Sequence, residues 1–185
     1  MTPVTRRAAT VDHLTQNQLS PNQRAFRDAM ANLSAGVNIV TTDGPRGRAG
    51  ITVSAACSVT DDPPTMLVCI NRSSRSHDLF TDNGRVCVNV LGPDHADVAK
   101  AFAGGVPAEE RFAACGDVWD HTVADVPVLK GSAASVLGRV TGTAERGSHT
   151  VMFIEAERVL VGEDGAGALV YFRRRFHSIP TSLTA

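Results

Sequence analysis

Short connections between strand-like runs are the feature that most constrains the fold of this chain. Apolar or alternating runs predict strands at 37–42, 49–60, 65–71, 85–92, 132–146, 149–162 and 168–177. Several are joined by only a few turn residues, such as DGPRG and DDPP, whereas parallel neighbours need crossovers of about a dozen residues or more. The sequence therefore predicts a mainly β fold with short helices, an antiparallel barrel instead of a doubly wound parallel sheet.

Three short helices are predicted between the strands. The first begins with Ser20 as N-cap, Pro21 at the first helical position and Gln23 closing a capping box. Gly36 is its predicted stop, and its apolar stripe at i, i+3, i+4 and i+7 consists of Phe26, Ala29, Met30 and Leu33. The other two helices are predicted within 73–84 and 94–105, whereas residues 106–131 are predicted to be rich in loops.

Length and charge indicate one domain without a nucleic-acid or membrane partner. The 185 residues suffice for one core, with a flexible N-terminal arm predicted at 1–19 and the domain at 20–185. A formal net charge of −1 does not attract nucleic acid or an anionic membrane. No apolar run approaches the roughly 20 residues of a membrane span. Arg6 and Arg7 are not followed by the apolar segment of a secretory signal, so a cytoplasmic location is expected.

The common catalytic and metal-binding motifs are absent from the sequence. There is no G-x-G-x-x-G between a strand and a helix, no P-loop, no G-x-S-x-G elbow and no H-E-x-x-H. The four cysteines form no C-x-x-C pair, so they are expected to be buried, reduced thiols and not a zinc or redox site: Cys57, Cys69, Cys87 and Cys115. No bound metal is predicted.

Two stretches carry side chains suited to a ligand. The strand from Thr52 to Ser58 is unusually small and polar, so a flat aromatic ligand can lie close to its backbone; close packing against another element is the alternative. The stretch NRSSRSHDLF sets serines and Arg75 before a short helix, which suits a phosphate, although Ser74 or Ser76 can also serve as an ordinary cap.

Two further features point to contacts beyond the core. In VYFRRRFHSI, three adjacent arginines cannot share one face of a strand, so at least one is predicted to face a pocket, an interface or an acidic partner. In TVMFIEA, both faces of the strand at 150–156 are apolar. An antiparallel sheet usually leaves one face in water, so the outer face is predicted to be covered by a second subunit or by a helix of the same chain.

Taken in order, these segments resemble a known family. FRDAMANLSAGVNIVTTDGP, GITVSAACSVTDDPPTMLVCINRSS, GSHTVMFIEA and LVYFRRRFH, spanning roughly 26–177, are similar to short-chain flavin reductases with an FMN-binding split barrel. The likeness is strongest to the reductase components of two-component aromatic monooxygenases, such as 4-hydroxyphenylacetate 3-monooxygenase. It implies a homodimeric, antiparallel split barrel that reduces FMN or FAD with NADH, NADPH being possible, and supplies reduced flavin to a separate oxygenase.

The resemblance also implies which residues lie at the site. The wall beside the isoalloxazine and ribityl chain would be Asn38, Thr52, Val53, Ser54, Ala55, Ala56, Cys57 and Ser58. The flavin phosphate would be surrounded by Asn71, Ser73, Ser74, Arg75 and Ser76. Near the flavin or nicotinamide would lie Phe102 and Gly104, with the pocket flanked by Tyr171, Arg173 and His177. The family's Gly-Asp-His turn reads Gly147-Ser148-His149 here, which keeps the histidine for NADH and loses the acid.

This reading requires no catalytic side chain, because hydride passes between the two cofactors while the protein aligns them. Two alternatives stay open on the sequence. One is a carrier of the same fold that binds flavin tightly and passes electrons to a protein; the other is a barrel with a binding role and no catalysis.

Overall fold

The computed structural model describes residues 19–162 and 167–180. The arm predicted at 1–19 lies outside this range except for Leu19, which is buried. The described residues form four α-helices: α1 (Pro21–Met30), α2 (His77–Asn83), α3 (Ala96–Phe102) and α4 (Ala108–Cys115), with a 3-10 turn at Pro93–His95. No helix in this part of the chain is long and apolar enough to cross a membrane.

The strands of the described residues range from 2 to 13 residues in length. They are β1 (Ala35–Gly36), β2 (Asn38–Thr42), β3 (Ala49–Val53), β4 (Ala56–Asp61), β5 (Pro64–Asn71), β6 (Arg85–Val90), β7 (Trp119–Asp120), β8 (Val128–Leu129), β9 (Ala134–Arg146), β10 (His149–Val161), β11 (Ala168–Phe172) and β12 (Arg175–Ile179).

All strand pairs in the described residues are antiparallel. The main sheet has seven strands in the order β3-β2-β6-β9-β10-β5-β4, beside a three-stranded sheet β1-β11-β12 and the pair β7-β8. The prediction of a mainly β, antiparallel fold with short helices is therefore confirmed. The short turns between consecutive strands leave no room for crossover helices within most of the sheet.

The predicted strand at 49–60 is wrong as a single element. The chain leaves β3 at Val53 and enters β4 at Ala56, and these two strands lie at opposite edges of the seven-stranded sheet. A two-residue link between opposite edges requires the sheet to curl until the edges approach each other. The Cys69 amide donates to the Ala55 carbonyl (2.9 Å), which holds the link against β5. The residues from Thr52 to Ser58 include no glycine or proline that would mark a turn, so the sequence pattern predicts one continuous strand.

The other differences from prediction also occur at turns. The run at 168–177 is a hairpin, because Arg173 and Arg174 adopt positive φ angles of 48° and 62° and reverse the chain. The predicted loop at 106–131 contains α4, β7 and β8. The helix predicted within 73–84 begins only at His77, because the Asn71 side chain accepts hydrogen bonds from the Ser73 amide and hydroxyl and holds the intervening residues in turns.

Of the three apolar clusters in the described residues, the two larger ones hold most of the elements together. The first fills the inside of the curled sheet with inward residues of the central strands, and α2 contributes Phe80 to it. The second packs α3 and α4 on the sheet through Phe102, Phe112 and Trp119, whose ring centroids lie 4.9 to 5.2 Å apart. Gly50 permits this approach, because a Cβ there would lie 2.5 Å from the Phe102 ring.

Helix α1 has the predicted start but little contact with the described core. The Ser20 and Gln23 side chains form the capping box, and the helix ends at Met30 instead of continuing to Gly36. None of its residues is buried, and Phe26 and Leu33 are 63% and 64% exposed. The apolar stripe that normally faces a core is thus left uncovered in a single chain.

Candidate functional site

The predicted small-residue wall is an exposed edge between β3 and β4. Ser54, Ala55, Cys57 and Ser58 are exposed, and Ala56 is partly buried. Thr52 and Val53, at the start of the predicted wall, make contacts within the fold. Thr52 donates its hydroxyl to the Ala99 carbonyl of α3 (2.7 Å), and Val53 lies in the inner cluster. The part of the wall that is open to a ligand is therefore residues 54–58.

The predicted phosphate segment follows directly from the strand beside this wall. Ala56 pairs with Val68 of β5, and β5 ends at Asn71. The Ser73 contacts to Asn71, both 2.9 Å, fold residues 71–76 into a compact loop, here called the 71–76 loop. Ser73 and Ser74 are partly buried, Arg75 is exposed and Ser76 is buried. The wall and the loop thus form one continuous region at the end of the curled sheet.

The structure also brings the Gly147-Ser148-His149 turn to this region. His149 is the first residue of β10 and lies opposite Asn71 in the ladder. The Arg72 amide donates to the Ser148 carbonyl (2.8 Å), and the Ser148 hydroxyl lies 2.9 Å from His149 Nδ1. Two motifs separated by about 75 residues in the sequence are therefore neighbours, as their predicted roles require.

Arg111 of α4 belongs to the same region and was missed by the sequence analysis. Its Nε donates to the Val106 carbonyl (2.8 Å) and its Nη1 to the Gly50 carbonyl (3.0 Å). The residue is only 9% exposed. An arginine that follows two glutamates in a proline-containing segment has no sequence feature that distinguishes it from a surface charge. The position of Arg111 at the site follows from the packing of α4 against β3.

Arg111 and Arg75 together make this region strongly favourable for an anion. Burial lowers the pKa of Arg111, and the nearby positive charge of Arg75 lowers it further. Within the described residues, neither arginine forms an ion pair with a carboxylate. A buried charge is costly unless it is paired, so a bound anion would stabilise this arrangement. Guanidinium groups bind phosphate oxygens with particular strength.

Three other predicted site residues lie close to the region but differ in exposure. Asn38 is buried, lies opposite Val53 in the ladder and donates its amide to the Gly36 carbonyl (3.1 Å). Phe102 is 0% exposed and supports β3 from the core, so the structure does not bring it to the surface that a ligand would contact. Gly104 is exposed, with φ of +139°, in the loop that follows α3.

The last group of predicted residues lies on the β11–β12 hairpin, next to α1. Tyr171 pairs with Ala35 of β1 and packs on Phe176, and His177 donates from Nε2 to the Phe172 carbonyl (3.2 Å). Arg173 donates to the Asn32 side chain (3.2 Å). The acidic partner predicted for one of the three arginines is within the chain, because Arg174 pairs with Asp28 of α1 (2.6 Å). This hairpin belongs to a different sheet from the wall and the 71–76 loop.

The four thiols are free, but their burial differs from the prediction. Cys57 is exposed on the wall, Cys69 and Cys115 are partly buried, and Cys87 is fully buried. Burial raises the pKa of Cys87 to about 12, despite a hydrogen bond from Ser135 that lowers it. Burial also raises the pKa of Cys69 and Cys115. These three thiols are therefore protonated at neutral pH.

A cleft lies elsewhere on the molecule. Its volume is about 380 Å³, and it is lined by residues 121–125 together with Arg85, Leu137, Glu157 and Arg158. Arg85 bonds both Asp125 (3.0 Å) and Glu157 (3.2 Å), whereas Arg158 donates to the Val123 carbonyl (2.9 Å). Among the described residues, the region around the wall thus has two arginines without a carboxylate partner and this cleft has one. In the described residues, no group of three or more His, Cys, Asp and Glu side chains is placed to hold a metal.

Comparison with known proteins gives consistent matches. The sequence model of the family described as "Flavin reductase like domain" matches residues 30–180. The chain is 51% identical over 165 residues to the 4-hydroxyphenylacetate 3-monooxygenase reductase component of Pseudomonas aeruginosa, covering 88% of this chain and 95% of that protein. It is 46% identical over 164 residues to the FMN reductase (NADH) RutF of Pseudomonas syringae pv. syringae, covering 89% and 90%.

A solved structure gives the same result for the fold. The styrene monooxygenase flavin reductase of Pseudomonas putida S12 superimposes with a TM-score of 0.72 at 25% identity, covering 85% of this chain and 99% of that one.

Proposed function

The chain belongs to the family of flavin reductase-like domains, and from this premise we propose the details of its reaction. It is a flavin reductase, an oxidoreductase of the kind that serves two-component monooxygenases. We propose that it transfers hydride from NADH to FMN or FAD and releases the reduced flavin to a separate oxygenase that acts on an aromatic compound. The observation that carries this proposal is the exposed small-residue wall that continues into the 71–76 loop, where Arg75 and the neighbouring Arg111 have no carboxylate partner among the described residues.

The residues present fit a flavin. Residues 54–58 offer backbone groups and small side chains against which a planar ring can lie. The Ser73 and Ser74 hydroxyls and the Arg75 and Arg111 guanidinium groups would hold the phosphate of FMN or the diphosphate of FAD. Arg111 supports this assignment, because among the described residues its charge is bonded to two carbonyls and to no carboxylate, and a phosphate would supply the opposite charge. These contacts are common to both flavins, so they support either.

The protein's part in the reaction is alignment. A bound flavin supplies the hydride acceptor, and a reduced nicotinamide supplies the hydride. His149 lies beside Asn71, where its ring can bond a carboxamide or phosphate of the nicotinamide nucleotide. The bond from Thr52 to Ala99 keeps α3 on the back of β3 and so fixes the wall from behind. Rigid placement of two cofactors can supply a large part of the rate without a catalytic side chain.

We infer that a second copy of the chain completes the site, as the predicted homodimer requires. Thr150, Met152 and Ile154 of β10 point inward and are buried, whereas Val151 and Phe153 point outward and are partly exposed. Phe26 and Leu33, which are 63% and 64% exposed, add large apolar side chains that lie in water in a single chain. A homodimer of split barrels would cover these side chains.

Light scattering on a dilute solution tests the dimer. The expected mass is twice the 19.5 kDa of one chain, and Phe153→Glu is expected to shift the equilibrium towards the single chain because it places a charge on the covered face. A mass of one chain across the concentration range of the assay would contradict the inference.

Release of the product agrees with an open site. Most residues of the wall are exposed, so a reduced flavin can leave as a diffusible product. The name of the Pseudomonas aeruginosa relative, a reductase component, supports a separate oxygenase as the recipient. The free thiols and the use of NADH fit a cytoplasmic location.

The direct test is oxidation of NADH by the pure protein with catalytic amounts of FMN or FAD. We expect multiple turnovers with at least one flavin, slower oxidation with NADPH, and no oxidation without added flavin. A tightly retained flavin with slow turnover would favour the electron carrier of the same fold. Absence of flavin-dependent oxidation with both flavins would contradict the proposed reaction.

Two substitutions are expected to separate the two substrates. Arg111→Met should raise the KM for FMN about tenfold, because it removes a charge-assisted contact to the phosphate. His149→Ala should raise the KM for NADH more than the KM for FMN. Arg158→Met is the control for Arg111, because this arginine lies at the other cleft and bonds the Val123 carbonyl. The assignment fails if Arg111→Met and Arg158→Met have the same effect, or if His149→Ala acts mainly on the flavin.

A further inference from the structure

His77, the first residue of α2, has both ring nitrogens in hydrogen bonds. Its Nδ1 lies 2.7 Å from Oδ1 of Asp78, and its Nε2 lies 2.9 Å from Oγ1 of Thr150. The histidine side chain is 13% exposed, and Thr150 is 3% exposed. These contacts join α2 to β10 inside the end of the curled sheet.

The donors and acceptors define one tautomer of the neutral ring. An ionised carboxylate only accepts, so Nδ1 carries the proton and donates to Asp78. Nε2 then accepts from the Thr150 hydroxyl. The order of acid, histidine and hydroxyl is that of a hydrolase triad, but Thr150 faces the core and is out of reach of a substrate. The arrangement therefore holds two elements together and performs no attack.

The contact between His77 and Thr150 lies at one end of the 71–76 loop. At the start of the loop, Asn71 lies opposite His149 in the ladder of β5 and β10. Directly after the end of the loop, His77 bonds the side chain of Thr150. Both ends of the loop are therefore attached to consecutive residues of β10. The ion pair of Arg72 in the loop with Glu145 is exposed on both sides and contributes little by comparison.

We propose that His77 is a positioning residue that sets the affinity for phosphorylated flavins by holding the 71–76 loop on β10. This inference rests on the proposed function. The ring of the flavin contacts a different segment, the wall at 54–58, whereas the phosphate depends on Ser73, Ser74 and Arg75 of the loop. Loosening one end of the loop weakens the phosphate contacts and leaves the ring contacts in place.

Riboflavin, which lacks the phosphate, makes the test selective. We expect His77→Ala to raise the Kd for FMN about fivefold, the effect of losing one hydrogen bond that orders the loop, and the Kd for riboflavin less than twofold. Thr150→Val, which removes the hydroxyl at constant shape, should have the same selective effect. Both constants are measured by quenching of flavin fluorescence.

Conservative and control variants separate positioning from general damage to the fold. His77→Gln keeps an amide that can reach Thr150, and it should restore FMN binding to within about twofold of the parent. His77→Ala combined with Thr150→Val should be no weaker for FMN than His77→Ala alone, because both changes remove the same contact. His121→Ala, an exposed histidine at the other cleft, should bind both flavins like the parent.

An equal rise in the Kd for FMN and for riboflavin in His77→Ala and Thr150→Val would overturn the positioning role of His77 and leave the proposed function standing. No change in the Kd for FMN would do the same. If His77→Ala does not fold, Thr150→Val decides by the same criterion. A parent protein that binds neither flavin would overturn the proposed function and this inference with it.

Discussion

The two-residue link at 54–55 is the constraint on which the rest of the structure depends. It joins strands at opposite edges of a seven-stranded sheet, so the sheet has to curl. The curl brings the last residues of β3 and β5 and the first residue of β10 to one end of the sheet. The Ala55 carbonyl accepts a hydrogen bond from the Cys69 amide, which holds the link beside β5. Ser54 and Ala55 are exposed, so the link that closes the fold also lies on the surface proposed to bind the ligand.

Charge gives this surface its chemical character. The chain as a whole is nearly neutral, yet Arg75 lies close enough to Arg111 for its charge to lower the pKa of Arg111, and neither has a carboxylate partner among the described residues. Burial of Arg111 in its bonds to two backbone carbonyls fixes its position at a cost in desolvation. A phosphate-bearing ligand would offset that cost, which supports the flavin site proposed at this exposed surface.

Much of the fold could be predicted from local patterns, because capping residues and hairpin turns act over a few residues. The capping box of α1 and the β9–β10 hairpin are examples. The division of 49–60 into two strands, the turn at Arg173 and Arg174, and helix α4 depend on tertiary contacts that leave no local pattern. The same limit applies to the site. The resemblance placed the wall, the loop and His149 together, but the burial of Phe102 and the position of Arg111 follow only from the packing of α3 and α4 on β3.

We propose that flavin binds at the wall and the 71–76 loop. Hydrogen exchange followed by mass spectrometry, with and without saturating FMN, tests this binding site. We expect slower exchange of amides at 54–58 and 71–76 on FMN binding, with unchanged exchange at 121–125 beside the other cleft. Protection confined to 121–125, or no protection at the wall and the loop when FMN is bound, would contradict it.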